Sequence, residues 1–444
     1  MNSHEREQFA AQLRRLRAHT GMSLGELAER AHVNRGYVGH IEHGQRWPSH
    51  SVAAALDDAL DACGTLLAAW TAGEATALPV ETRSDDETLT LPADEWTASD
   101  GQALADWLAA DSDRALTATT ARRLVHEWLV AEAPQTVEIT TGRRIGMSMA
   151  NTVTRRVDQL RRVDDYIAGR ELRPLVEREL RVTAGLLREA AYTDQVGRAL
   201  LSAIAELCQL AGWVIVDAGA PQRAARYLAL GVHAAHAAGD RPTAANLVST
   251  LSYQVANLDD PHEAVLLARS ASAGGRGHAS ATTLALLHER VAWAHARAGE
   301  TRHTERALAA VETEYERRCP ADDPEWVYWL TEDEVTVMAG RCYVELAQPD
   351  RAIPLLTGVL ERYDERQARE SALYTSWLAE AHVQARDIEH AAALAQRTLE
   401  LSSSTSSSRG DERVALLAQR LAPYRDVGAA RNFLDREAER RASG

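Results

Sequence analysis

Histidines and acidic residues recur along this chain of 444 residues, but their spacing forms no recognisable enzyme site. His288 and Glu289 begin the HExxH pattern of zinc metalloproteases, but Ala292 stands where the second histidine ligand is required. His233 and His236 share one face of a predicted helix, and the sequence offers them no third converging ligand. Neither a glycine-rich phosphate loop behind a strand nor a Ser-His-Asp triad is recognisable. We therefore expect no catalytic residues, no metal and no cofactor.

The cysteines and the amino terminus indicate the compartment. Cys63, Cys208, Cys319 and Cys342 lie far apart and form no CxxC pair, so the sequence predicts neither a zinc site nor a disulfide framework. The first residues are too polar for a signal peptide, and no apolar run approaches membrane-spanning length. We therefore expect a soluble, cytoplasmic protein without a membrane partner.

The net charge of −15 is distributed unevenly. Lysine is absent, so all 49 basic residues are arginine, a composition typical of GC-rich genomes. Residues 1–50 contain seven arginines and five glutamates, a balance of +2, which leaves −17 on the remainder of the chain. A weakly basic amino-terminal end on an acidic body fits contact with nucleic acid through that end alone.

Residues 23–48 have the pattern of two short helices joined by a tight turn. Ser23 followed three residues later by Glu26 is a capping box, in which each side chain accepts a hydrogen bond from a free amide at a helix start. Val33 is predicted to pack in the turn, and Asn34 to cap the second helix. The apolar residues of this second helix recur at helical spacing: Tyr37, Val38 and Ile41.

This stretch resembles the helix-turn-helix of the lambda-repressor-like (Cro/repressor) superfamily. Its members share a Leu-Ala pair, a turn valine and an I-E-x-G-x-R-x-P ending. These stand here as Leu27 and Ala28, Val33, and Ile41, Glu42, Gly44, Arg46 and Pro48. The resemblance covers about 65 residues and implies a five-helix DNA-binding domain over residues 1–71. It also implies a homodimer that places two recognition helices about one duplex turn apart.

The resemblance further implies which residues contact double-stranded DNA. Arg35 suits a bidentate hydrogen bond to guanine, worth about 1–3 kcal/mol of discrimination between bases. His40 can donate to a base or to a phosphate, and the residues after the helix are expected to touch the DNA backbone. The predicted DNA contacts are Ser23, Asn34, Arg35, Gly36, Tyr37, Gly39, His40, Arg46 and Trp47.

The stretch departs from the family pattern in three respects. Leu24 stands where a phosphate-binding glutamine is common, and His32 occupies a turn position usually held by glycine. Gly36 and Gly39 each cost about 1 kcal/mol relative to alanine in a helix interior. Either these glycines let the backbone approach DNA, or a short helix tolerates them, and for Gly39 we favour the second interpretation.

Two further predicted helices complete the amino-terminal domain. The first, over residues 5–19, buries Phe9, Leu13 and Leu16 and directs Arg14, Arg15 and Arg17 either to solvent or to phosphate, which the sequence leaves open. Residues 49–71 contain apolar residues at helical spacing that are expected to pack in the core and to contribute to dimer contact: Val52, Leu56, Leu60, Leu67 and Trp70.

The carboxyl-terminal part, residues 173–444, repeats a turn-plus-helix pattern six times. Aligning Pro221, Pro261, Thr301, Pro349, Ile388 and Val427 gives spacings of 40, 40, 48, 39 and 39 residues. A small residue follows each of them after three positions: Ala224, Ala264, Thr304, Ala352, Ala391 and Ala430. A small residue there lets the second helix of a pair approach the first, and such pairs stack into an α-solenoid. The pattern resembles tetratricopeptide-like repeats.

Between these two parts the pattern changes twice. Residues 72–95 are acidic, rich in threonine and interrupted by two prolines, which predicts a solvated linker. Residues 96–172 are predicted to form bridging helices, with 137–141 as a short strand or an extended connector. Within the repeats, the serine-rich run at 402–409 is expected to be a flexible loop without a site.

Polar stripes on two repeat helices are candidates for a ligand groove. Carboxamides can pair with the backbone of an extended peptide, and arginine can hold a carboxylate. A plain solvated face is the other interpretation. The candidate ligand-binding residues are Arg198, Asn246, Tyr253, Asn257, Arg290 and Arg341.

The combined pattern is similar to Gram-positive regulators that join this DNA-binding domain to a peptide-sensing repeat domain, most like the actinobacterial type. We therefore expect an all-α protein that is a sequence-specific transcriptional regulator. Its repeat domain would mediate dimerisation and the sensing of a peptide, a small molecule or a protein partner. The alternative is a non-enzymatic interaction scaffold with a weak DNA-binding head, which the acidic body and the missing glutamine favour.

Overall fold

A computed structural model shows the chain as two compact units, Met1–Glu87 and Thr88–Gly444. The predicted linker lies largely outside the residues that the structure describes. Those residues are 3–31, 33, 35–43, 48, 50–62, 64–67, 69–70, 91–92, 95–110, 116–164, 166–167, 169–258, 260–363, 368–405 and 408–443.

The first unit is a small helical domain. Its helices are α1 (Ser3–Thr20), α2 (Leu24–Arg30), α3 (Arg35–Glu42) and α4 (His50–Ala59), and residues 65–67 and 69–70 are also helical. The predicted apolar faces of these helices meet in one core that includes Phe9, Leu13, Leu27, Val38, Ile41, Leu56 and Leu60. The Asp57 carboxylate accepts hydrogen bonds from the backbone amides of Gly64 and Leu66, and thereby caps the last helical turns.

The second unit begins with helices that pack onto the repeats. These elements are α5 (Ala98–Ala109), α6 (Ala118–Val130), β1 (Arg143–Arg144), α7 (Met147–Asp164), α8 (Gly169–Glu189) and β2 (Ala190–Ala191). The two short strands pair in parallel, with Arg143 opposite Ala190. The segment 137–141 is an extended connector in which Ile139 exchanges two backbone hydrogen bonds with Tyr192.

Among the residues that the structure describes, six antiparallel helix pairs follow and form an α-solenoid. The pairs are α9 (Asp194–Asp217) with α10 (Pro221–Ala238), α11 (Arg241–Asn257) with α12 (Pro261–Gly275), α13 (Ala281–Arg297) with α14 (Thr301–Glu316), α15 (Glu332–Glu345) with α16 (Pro349–Leu360), α17 (Ala368–Gln384) with α18 (Ile388–Thr405), and α19 (Ser408–Leu421) with α20 (Gly428–Ser443). Five second helices begin at the residues aligned in the sequence, and the sixth begins one residue later. All six small residues that were predicted to let the helices approach are fully buried. The predicted solenoid is therefore confirmed.

The starts of two successive second helices, Thr301 and Pro349, are 48 residues apart instead of about 40. The extra residues lie outside the helix pairs. The extra residues between α14 and α15 form two 3-10 turns, Pro320–Asp322 and Glu325–Val327. Trp326, Val327 and Leu330 pack with Leu286 and Val311 into a small separate core. The insertion thus covers the side of the solenoid and leaves its period intact.

One helix contradicts the expectation that no apolar run reaches membrane-spanning length. Helix α9 is long and apolar enough to cross a membrane by length and composition alone. Its apolar window is 67% buried, and α9 packs against α7, α8 and α10. The apolar residues of α9, among them Leu200, Ile204 and Leu207, pack in the main core of this unit.

The expectation of a flexible loop over residues 402–409 is wrong for most of its length. Helix α18 continues to Thr405 and α19 begins at Ser408. Ser402 is buried, and a Cβ atom added at Gly410 would lie 2.6 Å from the Ser402 Oγ. The small residues of this run therefore let two helices cross closely, which a low-complexity pattern does not reveal.

The later helix pairs contact the first one. Arg369 at the start of α17 donates a 2.6 Å hydrogen bond to the Asp217 carboxylate at the end of α9, and a 2.9 Å hydrogen bond to the Asp164 carbonyl. Arg409 in α19 donates to the second oxygen of Asp217 at 2.9 Å. The solenoid therefore curls far enough for its last two helix pairs to reach its first.

Candidate functional site

The turn between α1 and α2 is held by the predicted capping box. The Ser23 amide donates to the Glu26 carboxylate at 2.8 Å, and the Glu26 amide donates to the Ser23 hydroxyl at 3.3 Å. The backbone hydrogen bond to Ser23 lowers the pKa of the Glu26 carboxyl, which stays ionised at the positive end of the helix. The start of α2 is thereby fixed.

Helix α3 begins at an exposed residue and buries its apolar residues in the core of the first unit. Val38 and Ile41 are buried in the core of the first unit, and Tyr37 is partly buried. Arg35, the first residue of α3, is exposed. Arg35 is therefore accessible to a partner at the start of α3.

The structure describes some of the predicted DNA contacts and not others. Ser23, Arg35, Tyr37 and Gly39 lie within the described part of the first unit. For Gly36 and His40 it describes only the helical backbone. Asn34, Arg46 and Trp47, and also His32 in the turn, lie outside the described residues.

Gly39 lies where α3 meets α2. A Cβ atom added at Gly39 would lie 3.5 Å from the Leu24 Cδ2, which is an ordinary van der Waals distance. Leu24, which replaces a polar residue of the family pattern, thus packs onto α3. The space around Gly39 accommodates alanine, so the packing of α2 and α3 does not require glycine there.

Arg17 is neither directed to solvent nor free for phosphate, the two alternatives that the sequence left open. Its Nε donates to the Glu42 Oε1 at 2.6 Å and its Nη2 to the Glu42 Oε2 at 3.0 Å. A third hydrogen bond, 2.9 Å long, joins its Nη1 to the Met22 carbonyl. The Glu42 hydrogen bond raises the pKa of Arg17 above its ordinary value. This ion pair ties α1 to the end of α3 and thereby fixes the orientation of α3.

A second candidate site lies inside the solenoid of the second unit, in a cavity of about 480 Å³. Trp213, Tyr253, Trp293, Arg341 and Glu380 line it. Each of these residues stands eight positions before the start of the second helix of its pair, so they occupy one structural position in five successive repeats. The rings of Trp213 and Tyr253 are 6.2 Å apart, and those of Tyr253 and Trp293 are 6.0 Å apart. The repeat therefore builds a column of aromatic rings along the inner face.

Arg341 lies in the middle of this column. Its guanidinium carbon is 4.5 Å from the centroid of the Trp293 ring and 5.0 Å from that of Trp377. Its Nη2 donates to the Tyr253 hydroxyl at 2.8 Å. Arg290 lies in α13, and its guanidinium carbon is 4.6 Å from the centroid of the Tyr253 ring in α11. Among the described residues, neither Arg341 nor Arg290 forms an ion pair with a carboxylate.

Burial and the charges of these arginines together shift the pKa values of the neighbouring ionisable groups. Burial by itself would raise the pKa of the Tyr253 hydroxyl, but the charges of Arg341 and Arg290 lower that pKa to about 8. Burial raises the pKa of the Glu289 carboxyl to about 8 and also raises that of Glu334. Glu289 is therefore largely protonated at neutral pH, which leaves an excess of positive charge beside the cavity.

The six predicted ligand-binding residues separate into two groups. Tyr253, Asn257 and Arg341 line the cavity, and Arg290 contacts it through the Tyr253 ring. Arg198 lies elsewhere, where it pairs with Asp194 and donates to the carbonyls of Pro134 and Gln135. Arg198 therefore holds the connector before β1 onto α9. Asn246 is buried in α11 and also lies outside the cavity lining.

Several cavity residues were not identified from the sequence. Arg409 lies 4.7 Å from the Trp213 ring centroid, and Arg413 lies 3.7 Å from that of Trp377 and donates to Glu380 at 2.7 Å. Arg409 belongs to the serine-rich run to which no site was assigned. The aromatic column had a recognisable pattern, because its members recur at the same spacings as the helix starts. The arginines of α19 reach the cavity only because the solenoid curls.

Comparison with known proteins identifies the first unit. Residues 8–70 match the model of a family described as a helix-turn-helix domain. No curated protein matches the chain. The amino-terminal unit is thus a helix-turn-helix domain, which indicates DNA binding and a regulatory role.

Proposed function

We propose that the chain is a sequence-specific transcriptional regulator of the Cro/repressor type. The observation that carries this proposal is the exposed Arg35 at the start of α3, in a domain that matches the helix-turn-helix family. An arginine at this position can donate two hydrogen bonds to the guanine edge in the major groove. The buried face of α3 and the Arg17–Glu42 ion pair hold that helix rigidly, which a DNA-reading helix requires.

We further propose that this regulator is not an enzyme and that it acts in the cytoplasm as a homodimer with tetratricopeptide-like repeats. Two copies of α3 would enter half-sites about 34 Å apart on one side of the duplex. The acidic body supports contact with DNA through the amino-terminal domain, because its negative charge repels phosphate.

Duplex selection with the full-length protein tests the proposal, followed by affinity measurements on the selected sequence at fixed salt. Arg35→Ala should weaken binding by about 1–3 kcal/mol and relax the preference for guanine. Arg30→Ala is the matched control, because Arg30 is exposed on α2 and pairs with Asp61. Equal effects of both substitutions, or selection of no sequence, would favour the scaffold with a weak DNA-binding head.

We also propose that the solenoid senses a planar organic anion, which occupies the inner cavity and changes operator affinity. A volume of about 480 Å³ is that of a small-molecule site. The partly exposed ring of Trp213 offers a stacking surface in the cavity wall, and Arg341 offers a positive charge without a carboxylate partner among the described residues. Both features favour a flat ligand that carries a carboxylate or a phosphate.

Two fluorescent probes with the same ring test this part of the proposal, 1-pyrenebutyrate and the neutral 1-pyrenebutanol. Wild-type protein should bind the butyrate at least tenfold more tightly, about 1.4 kcal/mol. Arg341→Gln should remove this preference. Arg161→Gln is the control, since Arg161 is equally buried but pairs with Glu206 away from the cavity lining. Equal binding of both probes by wild-type protein would refute an anion site, and an unchanged operator affinity at saturating probe would refute the coupling.

A further inference from the structure

In the part of the chain that the structure describes, two turns of the solenoid each carry two histidines and one acidic residue. In the turn between α13 and α14 these are His295, Glu300 and His303. In the turn between α17 and α18, two pairs further along, His382, Asp387 and His390 occupy the corresponding positions. Both trios have the sequence pattern H-x4-[DE]-x2-H. The pattern crosses a helix boundary, so it differs from the metal-binding spacings found within one helix.

The three side chains converge in each turn. The His295 Nδ1 is 2.6 Å and the His303 Nδ1 is 3.7 Å from the same Glu300 oxygen. In the second cluster the distances from the Asp387 oxygen are 3.2 Å to His382 and 3.6 Å to His390. In each cluster the three candidate ligand atoms lie within 4.8 Å of one another.

The intervening turn shows what the repeat contributes by itself. Between α15 and α16 the same three positions hold Tyr343, Gln348 and Arg351. There Arg351 stacks 3.9 Å from the Tyr343 ring centroid and donates to its hydroxyl at 2.6 Å. The solenoid therefore brings these positions together whatever their chemistry. The repeat architecture explains why the three side chains are close together, but it does not explain why two of the turns have histidines and an acidic residue there.

We propose that each of the two His-acid-His clusters binds a divalent transition-metal ion, with Zn²⁺ as the best fit. Two imidazole nitrogens and one carboxylate oxygen are a common three-ligand set for Zn²⁺, which leaves a fourth position for water or another ligand. Imidazole ligands select transition metals over Mg²⁺ and Ca²⁺, which prefer oxygen.

One histidine of each cluster is exposed and the other is buried. The side chains of His303 and His390 are each 56% exposed, whereas His295 and His382 are buried against the helices. The paired rings stack with centroids 5.0 Å apart in the first cluster and 4.2 Å in the second. Rotation of the exposed ring about its own torsions would turn its nitrogen toward the shared ion. Binding would then link the end of one helix to the start of the next.

Calorimetric titration of untagged, chelator-treated full-length protein with Zn²⁺ tests the proposal. Wild-type protein should bind one ion in each cluster. His303→Ala and His390→Ala should each weaken one site on the order of a hundredfold or abolish it, and the double variant should lack both. Because the substituted histidines are exposed, the variants should fold, and circular dichroism verifies this. Zn²⁺ should also raise the thermal midpoint of wild-type protein more than that of the double variant.

Two controls separate these sites from other metal binding. His278→Ala removes an exposed histidine outside both clusters, and Arg351→Ala changes the equivalent position in the intervening turn. Neither should alter the Zn²⁺ isotherm. A double variant whose isotherm matches that of wild-type protein would overturn the inference. The measurement does not involve operator binding, so its outcome tests the metal sites independently of the proposed regulatory function.

Discussion

Asp217 and Arg409 are 192 residues apart in the chain, yet their side chains are joined by a 2.9 Å hydrogen bond. Asp217 ends the first helix of the first pair, and Arg409 lies in the sixth pair. Arg369 binds the other carboxylate oxygen, and the Gly169 amide donates to it at 3.2 Å. This buried carboxylate therefore links both ends of the solenoid around the inner cavity.

Asp217→Asn should destabilise the solenoid strongly. The substitution leaves two arginines without their counter-ion in a site where the Asp217 side chain is only 1% exposed. We expect the free energy of unfolding to fall by about 3 kcal/mol, measured by urea denaturation followed by tryptophan fluorescence. Asp435→Asn is the control, because Asp435 forms an exposed pair with Arg425 and should change stability by less than about 0.5 kcal/mol. Equal effects would show that the Asp217 linkage is energetically unimportant.

The same carboxylate predicts a pH dependence. Burial opposes ionisation of Asp217, but the charges of Arg409 and Arg369 outweigh it and lower the pKa of the carboxyl. Its stabilisation is complete above the pKa of the unfolded chain, about 3.9, and is lost as the pH falls through the lower folded value. The stability difference between wild-type protein and Asp217→Asn should therefore be constant near neutrality and narrow below about pH 4. A difference independent of pH would contradict this assignment.

Arg17→Gln should destabilise the helix-turn-helix domain without removing a DNA contact. We expect a loss of about 2 kcal/mol, since the ion pair with Glu42 is partly buried. A double-mutant cycle with Glu42→Gln isolates the coupling, and Arg30→Gln serves as the exposed control. At a temperature where the variant is folded, the salt dependence of operator binding should equal that of wild-type protein. A slope reduced by about one would instead identify Arg17 as a phosphate contact.

Gly39→Ala should stabilise the same domain by up to about 1 kcal/mol, because alanine favours a helix interior and the site has room for its methyl group. Gly21→Ala is the opposite case, since its φ of +70° disfavours any side chain, and it should cost about 1 kcal/mol. Thermal unfolding measures both effects. We expect operator affinity to be unchanged in Gly39→Ala. A stabilised variant that binds DNA tenfold more weakly would show that the α3 backbone approaches DNA at Gly39.

Tyr253 should ionise in an unusual pH range. Its pKa of about 8 implies an early step, below the ordinary tyrosine value of about 10, in a spectrophotometric titration of the protein. Tyr253→Phe should remove this early step, and Arg341→Gln should shift it toward the ordinary value of about 10. Tyr166→Phe is the control, because Tyr166 is 86% exposed and lies outside the cavity lining, so the early step should remain in this variant. An early step that persists in Tyr253→Phe would assign it to another residue.

Features that depend on neighbouring residues could be predicted from the sequence. The capping box of Ser23 and Glu26 spans one helical turn, and the starts of the second helices follow from a repeated pattern around Pro221 and its equivalents. Small residues such as Ala224 are buried as predicted because each pair must approach closely in the same way. The all-α class and the solenoid were therefore predictable.

Contacts between distant residues were decided only by the tertiary structure. Arg17 meets Glu42, and Arg409 meets Asp217, because helix packing and solenoid curvature bring them together. The same curvature places Arg341 among rings from three other helices and excludes Arg198 from the cavity. Sequence periodicity specifies which face of a helix is buried, but it does not specify the angle between successive pairs. That angle determines which polar residues of the inner face meet across the cavity.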